Sequence, residues 1–171
     1  TFESLNANPL YFAKNLHLNG IPASTVKITA TTKISRFAFY NCTNLQELIL
    51  SDTVTDIEPY AFYGCNNLQS LTIPKGLTEI KEYVFYGCKS LSTLELHDDI
   101  TKIEQNAFGN CISISEIVIP ETITHIDYTA FSNNQIKKAT IPISKCTYIA
   151  NKYLQTVVIT SGDAIPNYAF K

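Results

Sequence analysis

The sequence predicts an α/β repeat solenoid, a right-handed superhelix with short parallel strands on one face and turns and short helical segments on the other. Three observations predict it. Four cysteines recur at a fixed spacing of 23 residues, an Ala-Phe or Val-Phe pair ends three residues before each of them, and a series of Leu and Ile follows. No repeat of this size can bury its apolar residues alone, so neighbouring repeats must stack.

The repeat is clearest when the sequence is aligned on the cysteines. The cysteines are Cys42, Cys65, Cys88 and Cys111. The aromatic pairs are Ala38-Phe39, Ala61-Phe62, Val84-Phe85, Ala107-Phe108, Ala130-Phe131 and Ala169-Phe170. The first apolar column after the cysteines holds Leu45, Leu68, Leu91 and Ile114. Each repeat then ends with an apolar pair such as Val54 with Ile57. The register therefore assigns nearly every apolar residue to one interior.

A short strand is predicted in every repeat, because apolar and other residues alternate there. The predicted strand segments are Leu48-Ile49-Leu50, Leu71-Thr72-Ile73, Leu94-Glu95-Leu96 and Ile117-Val118-Ile119. Pro74, Pro120 and Pro142 follow such segments, and proline cannot donate to a strand ladder. We therefore expect a parallel sheet whose strands end near these prolines. Val26 and Ile28 begin the same pattern near the N-terminus.

The spacing of the cysteines bears on their chemistry. Equivalent residues in stacked repeats lie ~4.8 Å apart and point the same way, which orients two thiols poorly for a disulfide. We interpret the four cysteines as buried thiols that act as small apolar side chains. A zinc site is the alternative, although a single row lacks tetrahedral convergence and no Cys-x-x-Cys pair accompanies it. Cys146 lies outside the register, and we expect it could be exposed.

The register divides the chain into three parts of one domain. Residues 1–28 form an irregular N-terminal coil or cap, with a short helix at 8–15 and a strand at 16–18 before a tight turn. Residues 29–142 hold the regular repeats, and Asn134 takes the cysteine position of the last of them. Residues 143–171 hold a contracted repeat, since only 18 residues separate Ile141 from Ile159, and a truncated end at Lys171.

The composition excludes several classes of function. The chain is 45% hydrophobic and 16% charged, as globular proteins are, and its formal net charge of -2 lacks the basic excess that nucleic-acid binding needs. No apolar run reaches the ~18 residues of a membrane span. The three histidines lie apart, and no glycine-rich phosphate loop is present. We therefore predict no enzyme, no cofactor, no metal and no membrane insertion.

The repeated segment 61–74, which reads AFYGCNNLQSLTIP, resembles the BspA-like leucine-rich repeat family, also called the treponemal type. That family occurs in surface proteins of bacteria and protozoa. The resemblance covers most of the chain, including the irregular segments at 8–20 and 154–159. It implies a leucine-rich-repeat fold, an extracellular or cell-surface location, and adhesion to host proteins or other cells. It implies no shared catalytic residues.

Two surfaces are candidate binding sites. The outward strand positions form the face on which such solenoids usually dock partners, with a solvated sheet surface as the alternative. Aromatic residues also flank the Ala-Phe column, and tyrosine suits protein interfaces and sugar platforms, although these rings could simply pack on one another. The candidate strand residues are Glu47, Ile49, Thr72, Glu95, His97, Val118 and Lys138. The candidate aromatic residues are Tyr40, Tyr60, Tyr63, Tyr83 and Tyr86.

These observations leave two functions open. The first is a cell-surface or secreted interaction module that binds an unidentified host or cell-surface protein or a glycan. The second is a structural spacer or stalk within a larger surface protein. An enzyme is the third and weakest hypothesis, because shallow repeat surfaces offer no enclosed pocket for acids or nucleophiles.

Overall fold

The computed structural model describes residues 17–18, 21–142, 144–145, 149 and 152–160. Each repeat makes one turn of the solenoid, here called a coil, and short strands connected by turns form its sides. In chain order the strands are β1 (His17–Leu18), β2 (Ile21–Pro22), β3 (Thr25–Ile28), β4 (Lys33–Ile34), β5 (Glu47–Leu50), β6 (Asp56–Ile57), β7 (Ser70–Leu71), β8 (Glu79–Ile80), β9 (Lys102–Ile103), β10 (Glu116–Val118), β11 (His125–Ile126), β12 (Lys138–Ile141) and β13 (Thr156–Ile159).

Parallel pairing between coils confirms the stacked solenoid. One set of strands forms the sheets β3-β5-β7 and β10-β12-β13, and a second set forms β4-β6 and β8-β9-β11. The register places Val26 beside Leu48 and Leu48 beside Leu71, as the repeat predicts. Across the shorter spacing that follows, β12 pairs with β13 with Ile141 beside Ile159. The shortened coil therefore loses residues outside its strand and keeps its strand in register.

The interior is organised around the phenylalanine column. Successive rings are nearly parallel, and their centroids lie 5.1 Å apart for Phe39 and Phe62, 5.5 Å for Phe62 and Phe85, 5.4 Å for Phe85 and Phe108, and 5.7 Å for Phe108 and Phe131. All five rings are buried. Backbone bonds parallel this stack, since Phe62 N donates to Val84 O and Phe85 N to Ala107 O. Residues 23 positions apart are thus vertical neighbours in one apolar core.

The four cysteines of the repeat are buried free thiols, which confirms their interpretation as core residues. Three of them donate to the phenylalanine carbonyl of the previous coil; Cys65 Sγ, for example, lies 3.1 Å from Phe39 O. Burial raises the pKa of Cys42 to about 11 and that of Cys111 to about 12. Thiols with such pKa values remain protonated, and therefore inert, at neutral pH.

Asn134 stands in the cysteine column and is also buried. Its side-chain Oδ1 accepts a hydrogen bond of 2.8 Å from the backbone N–H of Cys111. Its Nδ2 finds no partner among the residues that the structure describes. The last regular coil therefore replaces a thiol with an amide that is only half satisfied.

The short helical segments predicted for the return side are not seen. Within the described ranges this side consists of turns, and no α-helix is present. Two positions in each of four successive coils explain why, because the backbone is left-handed there; Tyr60 has φ of 63° and Gly64 has φ of 72°. Left-handed residues four positions apart cannot continue a right-handed helix.

One predicted strand is wrong. Residues 94–96 alternate as a strand should, yet they form no strand. The sheet β3-β5-β7 therefore ends at β7 in the coil before them, and the sheet β10-β12-β13 begins at β10 in the coil after them. Proline gives a physical reason on one side. Ser51 N donates to Ile28 O in the previous coil, whereas Pro120, at the equivalent position of its coil, has no N–H to donate to Leu96. The equivalent position of Pro74 faces β5, so proline does not explain the missing pairing between β7 and residues 94–96.

Some predictions fall on residues outside those that the structure describes. They are the helix at 8–15, the register position of Cys146, the Ala169-Phe170 pair and the end at Lys171. The strand predicted at 16–18 agrees with β1, which pairs antiparallel with β2.

Candidate binding surfaces

We define the strand face as the outward side chains of β3, β5, β7, β10, β12 and β13, together with residues 93–97. The alternation of the strands separates its two sides, since Glu47 and Ile49 point outward while Leu48 and Leu50 are buried. Six of the seven strand residues singled out in the sequence lie on this face, and Thr72 is an exposed residue directly after β7. The exposed apolar residues of the face include Ile49, Val118 and Val158, with 57% of Val118 exposed.

The strand face is interrupted at its middle. In the described part of the chain, no backbone hydrogen bond joins residues 93–96 to the coil before or the coil after. The coils remain closely stacked on the return side, where Phe85 lies between Phe62 and Phe108. The gap is therefore a local opening in the sheet and not a separation of two domains.

Two depressions flank the interruption. The larger has a volume of about 620 Å³ and is lined by Thr72 and Lys75 on one side and by Glu95 and His97 on the other. The smaller has a volume of about 330 Å³ and is lined by residues that include Glu116 and Lys138. Both are open to solvent, so they suit side chains of a docking partner better than an enclosed small molecule.

The charges along the strand face differ in whether they are paired. Lys138 Nζ lies 3.1 Å from Glu116 Oε2, and Glu47 accepts a hydrogen bond from the Thr25 hydroxyl. Glu95 has neither an ion pair nor a hydrogen bond among the described residues. An exposed carboxylate without a partner, at the edge of the larger depression, would attract a cationic group from outside the chain.

His97 connects the interrupted coil to the coil before it. Its Nε2 donates to Pro74 O over 3.0 Å, and its Nδ1 accepts from the backbone N–H of Asp99. One neutral tautomer satisfies both bonds. His97 thus links the two coils on either side of the larger depression, between which no strand pairing forms in the described residues.

The second candidate surface is an aromatic ladder on the turns of three coils. It consists of two rows, Phe37, Tyr60 and Tyr83 in the first and Tyr40, Tyr63 and Tyr86 in the second. Along the rows, ring centroids lie 4.9 Å apart for Tyr60 and Tyr83, 4.9 Å for Tyr40 and Tyr63, and 5.0 Å for Tyr63 and Tyr86. Across the rows they lie 5.5–5.9 Å apart. The rings therefore do pack on one another.

The first row adopts an unusual backbone conformation. Phe37, Tyr60 and Tyr83 have φ of 60°, 63° and 56°, a left-handed region that bulky residues rarely occupy. The next residue in this column, Asn106, has φ of 51° and suits the conformation better. The turn itself therefore does not require an aromatic side chain, and stacking offsets the strain in the first three coils.

Polar residues end the ladder. Asn106 Nδ2 donates to the hydroxyl of Tyr83 over 3.2 Å, and Asn106 Oδ1 accepts from the Ser132 hydroxyl. Gly109 follows Tyr86 in the second row, and a Cβ atom there would lie 2.9 Å from a ring carbon of Tyr86. The surface thus extends over three coils and stops.

Two hydroxyls of the ladder, those of Tyr60 and Tyr63, have a raised pKa and stay protonated at neutral pH. Partial burial is the main cause that raises the pKa of Tyr60 and of Tyr63 above the usual value of 10.0, with smaller contributions from the neighbouring tyrosines. Arg36 lies 5.8 Å from the ring centroids of both Phe37 and Tyr60, and its guanidinium also faces Glu82 at 4.0 Å. The ladder consequently presents neutral hydroxyl groups beside a cation that is already paired.

The remaining titratable groups do not form a catalytic or metal site in the described residues. No group of three His, Cys, Asp or Glu side chains is placed there to hold a metal ion. His125 lies 3.8 Å from Glu104, and Lys33 pairs with Asp56 and Glu58. No helix among those residues has the length and apolar character to cross a membrane.

Sequence reasoning missed two features of these surfaces. It treated residues 94–96 as an ordinary strand, although Pro120 in the following coil was a visible signal. It also treated the aromatic residues as one set, whereas the first row occupies left-handed positions. The replacement of Tyr83 by Asn106 in the next coil was the available signal, because asparagine tolerates that conformation.

Comparison with known proteins supports the fold. The family model for the BspA type leucine rich repeat region matches residues 32–158 of the chain, with six copies of the repeat. A leucine-rich repeat protein of T. pallidum superposes with a TM-score of 0.64 at 25% identity, over 82% of this chain and 65% of that one. A leucine-rich repeat protein of Bacteroides ovatus also gives 0.64, at 22% identity, over 78% and 45%. The chain thus spans less than two thirds of either protein. No curated protein matches it significantly.

Proposed function

Because the chain belongs to the BspA-type leucine-rich repeat family, we propose that it is a non-enzymatic interaction module that binds a protein partner through its strand face. Leucine-rich repeats commonly serve as protein-interaction modules. In this proposal the module is secreted or displayed on a cell surface and contributes to adhesion. The family resemblance supports that location and role.

The interruption at residues 93–96 carries the proposal. A continuous parallel sheet would offer only outward side chains, whereas here two depressions lie side by side on the strand face. Backbone groups at the interruption lack the ladder partners that their equivalents have in β5 and β12. Unpaired backbone groups next to a docking face are available to a partner directly or through water.

The chemistry of the face indicates what the partner presents. Ile49 and Val118 offer exposed apolar area on opposite sides of the interruption, and Glu95 offers an unpaired carboxylate between them. A complementary surface would place an arginine or lysine against Glu95 and apolar side chains on either side. Such central charged and apolar contacts account for most of the affinity of ordinary protein interfaces.

A direct test uses immobilised chain and a panel of purified extracellular-matrix proteins, with binding measured by surface plasmon resonance. Glu95→Lys should weaken the interaction at least about tenfold, because it replaces attraction of the partner's cation with repulsion. Glu79→Lys is the matched control, since it makes the same charge change on β8, away from the strand face. It should leave the affinity within about twofold.

Two results would contradict this function. Equal losses for Glu95→Lys and Glu79→Lys would show that net charge, and not the strand face, governs binding. Absence of binding to every protein in the panel would favour the structural spacer, which the repeat architecture also permits.

A further inference from the structure

The aromatic ladder holds a second, independent array of hydrogen-bonding groups. Parallel rings about 5 Å apart place the hydroxyls of neighbouring coils at about the same spacing, and the two rows lie beside each other. The ladder therefore presents two rows of neutral hydroxyls along the axis of the solenoid.

Part of this array is unused by the protein. Tyr83 accepts a hydrogen bond from Asn106, but for Tyr60, Tyr63 and Tyr86 the described part of the chain offers no hydrogen-bond partner to the hydroxyl. The ring faces, by contrast, are occupied, because each ring lies against its neighbours in the row. A ligand would consequently meet ring edges and hydroxyls, and not an open aromatic face.

The strain in the first row indicates that these rings have a role besides the turn. Tyr60 and Tyr83 hold left-handed φ values that Asn106 adopts in the next coil with a more suitable side chain. A bulky residue in this region is strained, and strain of this kind is concentrated at functional sites. Aromatic residues are nevertheless present at this position in three successive coils.

The spacing selects among ligand classes. An extended polypeptide presents side chains on one face only every ~6.8 Å, so it falls out of phase with rows that repeat at about 5 Å. An extended β-1,4-linked glycan advances by close to one coil spacing per sugar and carries hydroxyls along its whole length. The paired state of Arg36, which faces Glu82, favours a neutral glycan over a sulfated or uronic acid chain.

We propose that the aromatic ladder is a binding site for a neutral, linear, β-1,4-linked glycan that lies along the solenoid axis. Successive sugars hydrogen-bond to the hydroxyls of successive coils and contact the ring edges. Asn106 and Gly109 end the array after three coils, so the site accommodates about three to four sugars. This site is separate from the strand face, and the proposal does not depend on whether a protein partner binds there.

The test is titration of the whole chain with cello-oligosaccharides and chito-oligosaccharides of two to six sugars, with tetragalacturonate as the anionic comparison. Isothermal calorimetry gives the affinity, and tyrosine fluorescence gives a second signal, since the chain has no tryptophan. The affinity for one neutral series should increase up to three or four sugars and then stay level. Tetragalacturonate should bind at least about tenfold more weakly.

The decisive variant is Tyr60→Phe/Tyr63→Phe/Tyr86→Phe, which removes the three unpartnered hydroxyls and keeps every ring in its stack. It should lose about tenfold or more in glycan affinity, as loss of two or three hydrogen bonds requires. Glu95→Lys is the control on the other surface, and its glycan affinity should equal that of the parent chain. If the triple variant does not fold, the single variant Tyr63→Phe provides the same comparison, and its glycan affinity should decrease several-fold.

Three outcomes would overturn the proposal. They are no binding of either neutral series at millimolar concentration, undiminished binding by a folded triple or single phenylalanine variant, and preference for the anionic glycan. None of these outcomes depends on whether a matrix protein binds the strand face.

Discussion

The coils of residues 37–86 and those of residues 106–134 build the same turns in different ways. The earlier coils place Phe37, Tyr60 and Tyr83 at a left-handed position, where the next coil places Asn106. The phenylalanine column continues unchanged through both regions, with Phe85 stacked on Phe108. The comparison teaches that the interior fixes the fold, whereas the aromatic ladder is an addition to the outer surface of three coils.

The largest expected effect comes from the interior, which both regions share. Phe85→Ala and Phe108→Ala should each lower the free energy of unfolding by about 3–5 kcal/mol, since each removes a buried ring from the stack and leaves a cavity. Urea unfolding followed by circular dichroism measures the change. Tyr128→Ala is the control, because Tyr128 is 82% exposed and should lose almost nothing. A small effect of either phenylalanine substitution would contradict the conclusion that both regions share one buried interior.

The next effect is a loss of stability at high pH that depends on the cysteine column. The pKa of Cys111 is raised from 9.0 to about 12 by burial, so the folded chain retains a proton that the unfolded chain releases. Stability is therefore full below pH 9 and decreases as the pH rises from 9 toward 12. The raised pKa values of Tyr60 and Tyr63 act in the same direction.

Comparison with Cys111→Ala isolates the thiol in this pH dependence. The variant should be less stable at pH 7, because it loses a buried side chain, but its free energy of unfolding should decrease less between pH 9 and pH 12. Parallel pH profiles for the two proteins, each determined by urea unfolding, would contradict the burial of Cys111.

A smaller effect is expected where the later coils depart from the cysteine column. Asn134→Cys should increase the free energy of unfolding by about 1 kcal/mol, since it removes a buried amide N–H without a partner. Cys111 N–H loses Asn134 Oδ1 but can turn to Phe108 O, as Cys88 N–H bonds to Phe85 O. Thermal unfolding under reducing conditions measures the gain, and a loss of stability would show that Asn134 is required.

The smallest effect tests the aromatic ladder itself. Tyr60→Asn removes three ring contacts, worth ~0.5–1.5 kcal/mol each, but relieves strain at a left-handed position. The two changes partly cancel, so the net loss should be about 1 kcal/mol or less. Tyr86→Asn is the matched change in the second row, where no such relief is available, and it should cost more. The reverse order, measured by urea unfolding, would contradict the strain in the first row.

The sequence was sufficient for the interior but not for the surfaces. A period of 23 residues determines which side chains are vertical neighbours, so the columns of Phe62 and Cys65 could be predicted without any knowledge of pairing. The shortened spacing from Ile141 to Ile159 could be predicted for the same reason, because the strand residues kept their pattern.

The predictions that the structure does not support concern features that depend on neighbouring coils or on backbone conformation. Residues 94–96 have the local pattern of a strand, but whether they pair is decided by the neighbouring coils, and Pro120 in the coil after them lacks the N–H that would donate to Leu96. Helical segments were predicted on the return side because leucine-rich repeats often have them, whereas left-handed residues such as Tyr60 and Gly64 interrupt the helix here.

Thiol labelling of the native chain tests the stacked interior most directly. Cys42, Cys65, Cys88 and Cys111 are buried in four successive coils, so a thiol reagent added in excess at pH 8 should modify them only as fast as the chain unfolds. Peptide mass spectrometry assigns each site, and the denatured chain gives the unprotected rate. Protection of all four cysteines is the predicted result. Rapid modification of any of them in the folded protein would contradict the common interior.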